Sequence, residues 1–302
     1  MKRSRRDETR LAYLLVLPAY LLIGTVALLP ILHAFWLSLH RRMPVFDISS
    51  FVGLGNYRFL LQDPRFFQSF LNTAYFSLVS VSLELAIGLL MALLLNRAFR
   101  GRGLFRAIAL IPWAIPTVVS ARMWEWILNP DFGLLNYILK QTGLLSLRFA
   151  QGDALSLNWP GDPFLAMHAL ILADAWKTSP FAALILLAGL QMIPEELYEA
   201  AKVDGAGRWR IFRQITFPML RPFILVALLF RTLDAFRVFD LVYVLTGGGP
   251  ANTTETLSLY AYKLLFQTLE FGYGSAVAVA TFLGIMFISG LYILLLRGRA
   301  YE

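Results

Sequence analysis

Residues Ile193–Pro222 read IPEELYEAAKVDGAGRWRIFRQITFPMLRP, a polar interruption in an otherwise apolar chain. The pattern predicts a helix, a break and a helix. Pro194 suits the first helical position, and Glu195 and Glu196 suit the positive end of the helix dipole. The helix then runs through Leu197 to Val203 and ends at Asp204 and Gly205, where glycine can take the left-handed conformation of a terminator. A second short helix is predicted from about Ala206. It places Trp209, Phe212 and Ile215 on a broad apolar face amid Arg208, Arg210 and Arg213, until Pro218 and Pro222 break the pattern. A rigid projecting turn with a small-residue bend suits docking onto a partner. A basic helix bearing Trp and Phe equally suits a membrane surface, and periodicity leaves both readings open.

Outward from this stretch the composition decides the class. Of 302 residues, 58% are hydrophobic and 15% charged, far from the balance of a soluble domain. The apolar residues gather into six stretches, each long enough to cross about 30 Å of hydrocarbon as a helix. They fall at Leu11–Leu39, Phe70–Leu95, Leu104–Leu128, Phe164–Met192, Phe223–Thr246 and Tyr273–Leu296. The first follows Lys2, Arg3, Arg5 and Arg6, but it is too long for a signal-peptide core and lacks an obvious cleavage site, so it is expected to be retained. The prediction is an all-α polytopic membrane protein of six transmembrane helices, forming a single domain over residues 1–302.

Six crossings put both termini on one side, and the positive-inside rule selects the cytoplasm. With both tails, the Asn96–Gly103 turn with Arg106, and the Ile193–Arg221 loop inside, 16 of the 27 Lys and Arg residues are cytoplasmic, against seven outside and four within helices. The net charge of +8 therefore reflects topology, and no basic soluble face for nucleic acid is present. Without cysteine there is no disulfide or thiolate chemistry. His33, His40 and His168 are scattered and read as ordinary core or loop residues rather than metal ligands. The outer segments His40–Ser69, Asn129–Pro163 and Gly247–Gly272, rich in Gly, Pro, Asn and Asp, read as compact loops. No clear internal repeat is visible, which argues against a carrier built from two homologous halves.

A charge at mid-bilayer costs roughly 2.5–3.5 kcal/mol on insertion scales, so such residues face a cavity or a partner. Glu84 lies in the second stretch, Arg122 and Glu125 in the third, Asp174 and Lys177 in the fourth, and Arg231, Asp234, Arg237 and Asp240 in the fifth. At about 100° per residue, Asp174, Thr178 and Phe181 share one helix face, and Trp113 and Thr117 share another. With Arg231 and Asp234 they lie at similar depth. Aromatic rings beside hydroxyls and carboxylates suit sugars, whose apolar faces stack while their hydroxyls take hydrogen bonds. The three-residue spacing from Arg231 to Asp240 drifts by about 60° per step in an unbroken helix, so one pocket is not expected to hold all four charges. Arg231 and Asp234 are assigned to the cavity, Arg237 and Asp240 to a position nearer the outside. The alternative for all these charges is a set of structural ion pairs.

The cytoplasmic stretch also resembles a known element. Glu199, Ala200, Ala201, Asp204, Gly205 and Ala206, with Phe212, Ile215, Pro218 and Pro222 at the expected distances, resemble the EAA loop (here 193–222) of ABC importer permeases. FVGLGNYRFLL at Phe51–Leu61, FLNTAYFSLV at Phe70–Val79, IPWAIPTVVSARMWEWILNPDFGLLN at Ile111–Asn136 and LTGGGP at Leu245–Pro250 are similar to the maltose/trehalose type, on the side of its F subunit. The resemblance implies a type I ABC importer permease fold in the bacterial or archaeal inner membrane. It also implies a heterodimer with a second permease, two copies of an ATP-binding subunit and an extracytoplasmic sugar-binding protein. Glu199 through Ala206 would carry the contact to the ATPase. The family's sugar-binding faces align with Trp113, Thr117, Asp174, Thr178, Phe181, Asp234 and Ala235. No Gly-x-x-x-x-Gly-Lys-Ser/Thr phosphate loop occurs in this sequence, so ATP and Mg are expected on the partner, with no cofactor and no catalytic residue here. The expected cargo is a disaccharide or short oligosaccharide. A glycerol phosphate importer and a stand-alone proton-coupled carrier are the alternatives, and no arrangement of nucleophile, base or metal ligands suggests a membrane enzyme.

Overall fold

The computed structural model describes residues 5–143 and 156–297. Fourteen helices and one hairpin are formed by these residues. They divide into two compact units, Met1–Phe66 with Tyr260–Phe282, and Phe67–Leu259 with Leu283–Glu302.

In the first unit, α1 (Arg5–Ile23) and α2 (Leu29–Ser38) are joined through one π-helical turn, Gly24–Leu28, into a long apolar rod. A hairpin follows, β1 (His40–Met43) paired antiparallel with β2 (Ile48–Phe51), then α3 (Gly55–Leu60). Asn56 ties hairpin to helix by donating to the carbonyls of Ser38 and His40 at 2.8 and 2.9 Å. Asp63 accepts from the Tyr260 and Tyr273 hydroxyls, both at 2.5 Å, and from the Arg65 N–H at 2.9 Å. The Arg65 guanidinium lies over the Tyr260 ring at 4.9 Å. This cluster joins the start of α4 (Pro64–Asn96) to α13 (Leu257–Tyr262) and α14 (Phe271–Arg297).

The second unit is organised by α8 (Pro163–Gln191), whose Asp162 cap accepts from the Leu165 N–H at 2.9 Å. Most of α8 is buried, and it packs on α5 (Arg102–Ala114), α6 (Thr117–Ile127), α11 (Phe217–Phe236) and α12 (Asp240–Leu245). Small residues allow the close crossings. A Cβ on Gly88 of α4 would come within 2.9 Å of the Ala182 Cβ, and one on Gly189 within 2.5 Å of the Phe223 ring. Where lipid supplies no hydrophobic drive between helices, such backbone approach is a principal source of association.

Among the described residues, five helices are long and apolar enough to span a membrane, and the α5–α6 pair makes a sixth span if its 90° bend is counted within one crossing. The unbroken third helix expected over Leu104–Leu128 is therefore corrected. Pro116 has no N–H to donate and its ring drives Ile115 out of the helical region, to φ −70° and ψ 132°. The fifth stretch also differs. Pro218 and Pro222 do not stop the helix, which runs continuously from Arg208 to Phe236. A π-helical turn at Phe212–Thr216, closed by the Phe217 N–H on the Phe212 carbonyl, precedes Pro218, which falls in the first turn of α11. That helix ends at Phe236 instead of reaching Thr246, and α12 begins afresh at Asp240.

Candidate functional site

A cleft of about 300 Å³ opens in the second unit, lined by residues of α5, α6, α8, α11 and α12. It gathers Trp113, Thr117, Asp174, Thr178, Arg231, Asp234 and Ala235, seven of the eight residues expected there. The eighth, Phe181, stacks on Trp113 with centroids 5.7 Å apart and planes 24° from parallel, and meets Phe230 edge-on at 6.3 Å. Trp113 and Thr117 flank the α5–α6 break, so they reach one cleft from two helices rather than from one continuous face.

Arg237 and Asp240 line the same cleft, against the expectation that one pocket does not hold all four charges of the fifth stretch. Only an unbroken helix would carry the four charges apart. Residues 237–239 interrupt it, with Phe239 at φ −135° and ψ −63°, and the new helix starts with its own rotation.

The charges form a network. Arg231 is 5% exposed; its Nε and Nη2 donate to the two oxygens of Glu84 at 2.5 and 3.2 Å. Nη2 also reaches Asp174 and Nη1 reaches Asp234, each at 3.4 Å. The Ser80 hydroxyl lies 2.6 Å from Glu84 and 2.8 Å from Asp174, bridging the two carboxyl groups. Asp234 meets Arg237 at 2.6 Å, closer than it meets Arg231. Arg231 thus forms a wall of the cleft, while the Asp234 and Arg237 side chains remain 42% and 70% exposed. Arg122 and Glu125 pair with each other at 2.6 Å and stand apart from this cleft.

Glu84 was legible as a membrane charge but not as part of this site. Its signal is the Ser80–Glu84 pair, spaced by four so that both lie on one face of α4. Lys177, three residues from Asp174 on α8, also lines the cleft and donates to the carbonyls of Ile115 at 2.7 Å and Trp113 at 3.4 Å.

The six residues read as the docking turn lie on α9 (Glu195–Val203) and just beyond it. Pro194 caps the helix rather than opening it. At the other end Gly205 has φ +73°, its N–H donates to the Lys202 carbonyl at 3.0 Å, and the Ala206 N–H donates to Ala201 at 2.9 Å. This double bond pattern is the Schellman terminator, which needs a left-handed residue at Gly205. Glu199, Ala200, Asp204 and Gly205 are exposed, as are Val203 and Trp209. The base of the loop is fixed: Ile193 belongs to a buried cluster with Ala92, Leu186, Leu190 and Leu220, against which Tyr198 and Ile215 pack. Helix α10 (Arg208–Ile211) then leads through the π-helical turn into α11.

Comparison with known proteins agrees with this architecture. Residues 84–300 match the family described as binding-protein-dependent transport system inner membrane component. The chain is 45% identical over 292 residues to a trehalose/maltose transport system permease protein, MalF, of Thermococcus litoralis, covering 97% of this chain and 95% of that one. It is 40% identical over 298 residues to the trehalose transport system permease protein SugA of Mycobacterium tuberculosis, covering 98% and 92%. Among solved structures it is similar to a chain of a bacterial ABC transporter involved in import of the acidic polysaccharide alginate, with TM-score 0.81 and 24% identity, covering 97% and 98%. By the extent of these matches, this chain belongs to the binding-protein-dependent transport system inner membrane components.

Proposed function

We propose that this permease subunit conducts a neutral disaccharide or short oligosaccharide of the trehalose or maltose type through the cleft between Trp113 and Asp240. The observation that carries the reading is the pairing of a stacked aromatic surface, Trp113 on Phe181, with a set of charges already satisfied by one another. A sugar ring lays its C–H face on such a surface while its hydroxyls reach partly exposed polar groups. Asp174, Thr178, Asp234 and Arg237 are the groups placed to accept or donate. The charged side chains lining the cleft are three acidic, Asp174, Asp234 and Asp240, and three basic, Lys177, Arg231 and Arg237, so no excess of cations is present for a phosphate-bearing cargo. The names of the two curated relatives point to the same class of sugar.

The ATP-driven step is supplied from outside the chain. The exposed turn from Glu199 to Ala206 is the proposed contact with an ATP-binding subunit, which holds the ATP and Mg. Helices α8 and α11 run from this loop to the cleft, about 25 Å along α8 from Gln191 to Asp174 at helical rise, so a push at the turn is transmitted to the sugar site through rigid elements. The remaining partners are a second permease, a second ATPase copy and an extracytoplasmic binding protein, with both termini in the cytoplasm. One solved structural neighbour is in complex with an alginate-pentasaccharide-bound periplasmic protein, which supports the last of these.

The complex reconstituted with its ATPase, second permease and binding protein should hydrolyse ATP faster when trehalose or maltose is added. Stimulation by glycerol phosphate, with none by any di- or oligosaccharide, would overturn the reading.

A further inference from the structure

Lys177 is a nearly buried cation, 8% exposed, whose hydrogen bonds go to backbone carbonyls rather than to a carboxylate. Its Nζ donates to Ile115 O at 2.7 Å and to Trp113 O at 3.4 Å. These carbonyls belong to the end of α5, where the chain turns by 90°. Pro116 has no N–H for the carbonyl of Pro112, and the bend carries the following N–H groups of α6 away. A helix end of this kind bears unpaired acceptors and a partial negative charge, which an ammonium group matches. One turn further along α8, Phe181 stacks on the indole of Trp113. Residues 177 and 181 share a helix face. Helix α8 therefore holds Trp113 at two points, its main chain through Lys177 and its ring through Phe181.

We infer that Lys177 is a positioning residue for the transport cleft: it locks the break in the third span so that the Trp113 indole lies against Phe181. The inference rests on the sugar-cleft reading for its consequence, not for its geometry. Pro116 alone permits many bend directions. The ammonium selects the one in which both carbonyls converge on α8. Arginine keeps charge and reach, glutamine keeps one donor without charge, and methionine keeps only the volume.

The test is a double-mutant cycle in the complete reconstituted complex, read both as maximal sugar uptake and as ATP hydrolysis stimulated by the loaded binding protein. Lys177→Met should lower maximal uptake roughly tenfold to a hundredfold, the range for losing a charged hydrogen bond. Lys177→Arg should recover most of it, and Lys177→Gln a smaller part. In a Trp113→Leu background, Lys177→Met should add nothing further, because both changes act through the same side chain. Multiplicative effects, or no rescue by arginine, would overturn the inference. So would failure of the Met, Gln and Arg variants alike to co-purify with their partners, since Lys177 would then hold the fold rather than the indole. If the wild-type complex moves no sugar, the sugar reading fails instead, and the cycle is still decided by the ATP hydrolysis it reads.

Discussion

The guanidinium of Arg231 on α11 is gripped by both carboxylate oxygens of Glu84 on α4, 147 residues away in sequence, and Glu84 is wholly buried. Asp174 and Asp234 touch the same guanidinium at longer range. In this geometry Arg231 bridges α4, α8 and α11 beside the cleft.

Removing Glu84 leaves the buried guanidinium only its two carboxylate contacts at 3.4 Å; breaking a buried pair costs about 3–5 kcal/mol, whereas replacing both members by apolar groups is often neutral. Glu84→Leu alone should sharply reduce the yield of assembled complex. Glu84→Leu with Arg231→Met should restore it. Yield and melting temperature of the purified complex check this; equal loss in the single and double variants would contradict it.

Gly205 gives a separate prediction for coupling. A Cβ there meets nothing within 4 Å, so a side chain is resisted only by the backbone angle of φ +73°, at a cost of about 1–2 kcal/mol for an ordinary residue. Gly205→Val should abolish sugar-stimulated ATP hydrolysis in the assembled complex. Gly205→Asn, which tolerates the left-handed region, should retain much of it. Equal activity in both variants would show that the terminator is not the coupling element.

The absence of cysteine from the sequence makes topology easy to probe. Single cysteines at the exposed positions Asp131 and Gly207 should label differently in intact cells. An impermeant thiol reagent is expected to modify the first and spare the second. Labelling of Gly207→Cys alone would invert the orientation and remove the proposed ATPase contact with it.

The Asp63 cluster predicts a pH dependence. Burial pushes this carboxyl up, but the Tyr260 and Tyr273 hydroxyls and the Arg65 and Phe66 N–H groups outweigh it, and its pKa lies below the ordinary 3.8. A depressed carboxylate pKa adds stability that is fully present above the unfolded value and lost as pH falls through the folded value. Melting temperature should therefore fall more steeply below about pH 4 in the wild type than in Asp63→Asn. At neutral pH the variant should be less stable by about 1–3 kcal/mol. Parallel acid profiles for the two proteins would contradict the assignment.

Much of the fold was legible because membrane insertion writes itself into composition: the long apolar stretches at Phe70–Leu95, Phe164–Met192 and Tyr273–Leu296 correspond to α4, α8 and α14. The departures occur where one residue overrides periodicity. Pro116 bends a stretch whose hydropathy is continuous, whereas Pro218 does not interrupt one, since it falls in the first turn of α11, just after a π-helical turn. In the fifth stretch the break at residues 237–239 has no proline or glycine to announce it, so helical phase placed Arg237 and Asp240 away from the cleft they line. The partner of Arg231 was hidden for another reason. Spacing relates neighbours along one helix and favoured Asp234, while Glu84 is brought close only by packing of α4 against the rest. The candidate residues on α8 were readable because Asp174, Thr178 and Phe181 lie on one face of an intact helix.

The proposed passage of sugar through the cleft at Trp113, Asp174 and Asp234 is checked by uptake of labelled trehalose or maltose into liposomes containing the full complex, with the binding protein's own affinity measured separately. Trp113→Leu and Asp174→Ala should each reduce the maximal uptake rate by about one to two orders of magnitude, with assembly and binding-protein affinity intact. Wild-type uptake in both assembled variants would contradict the claim.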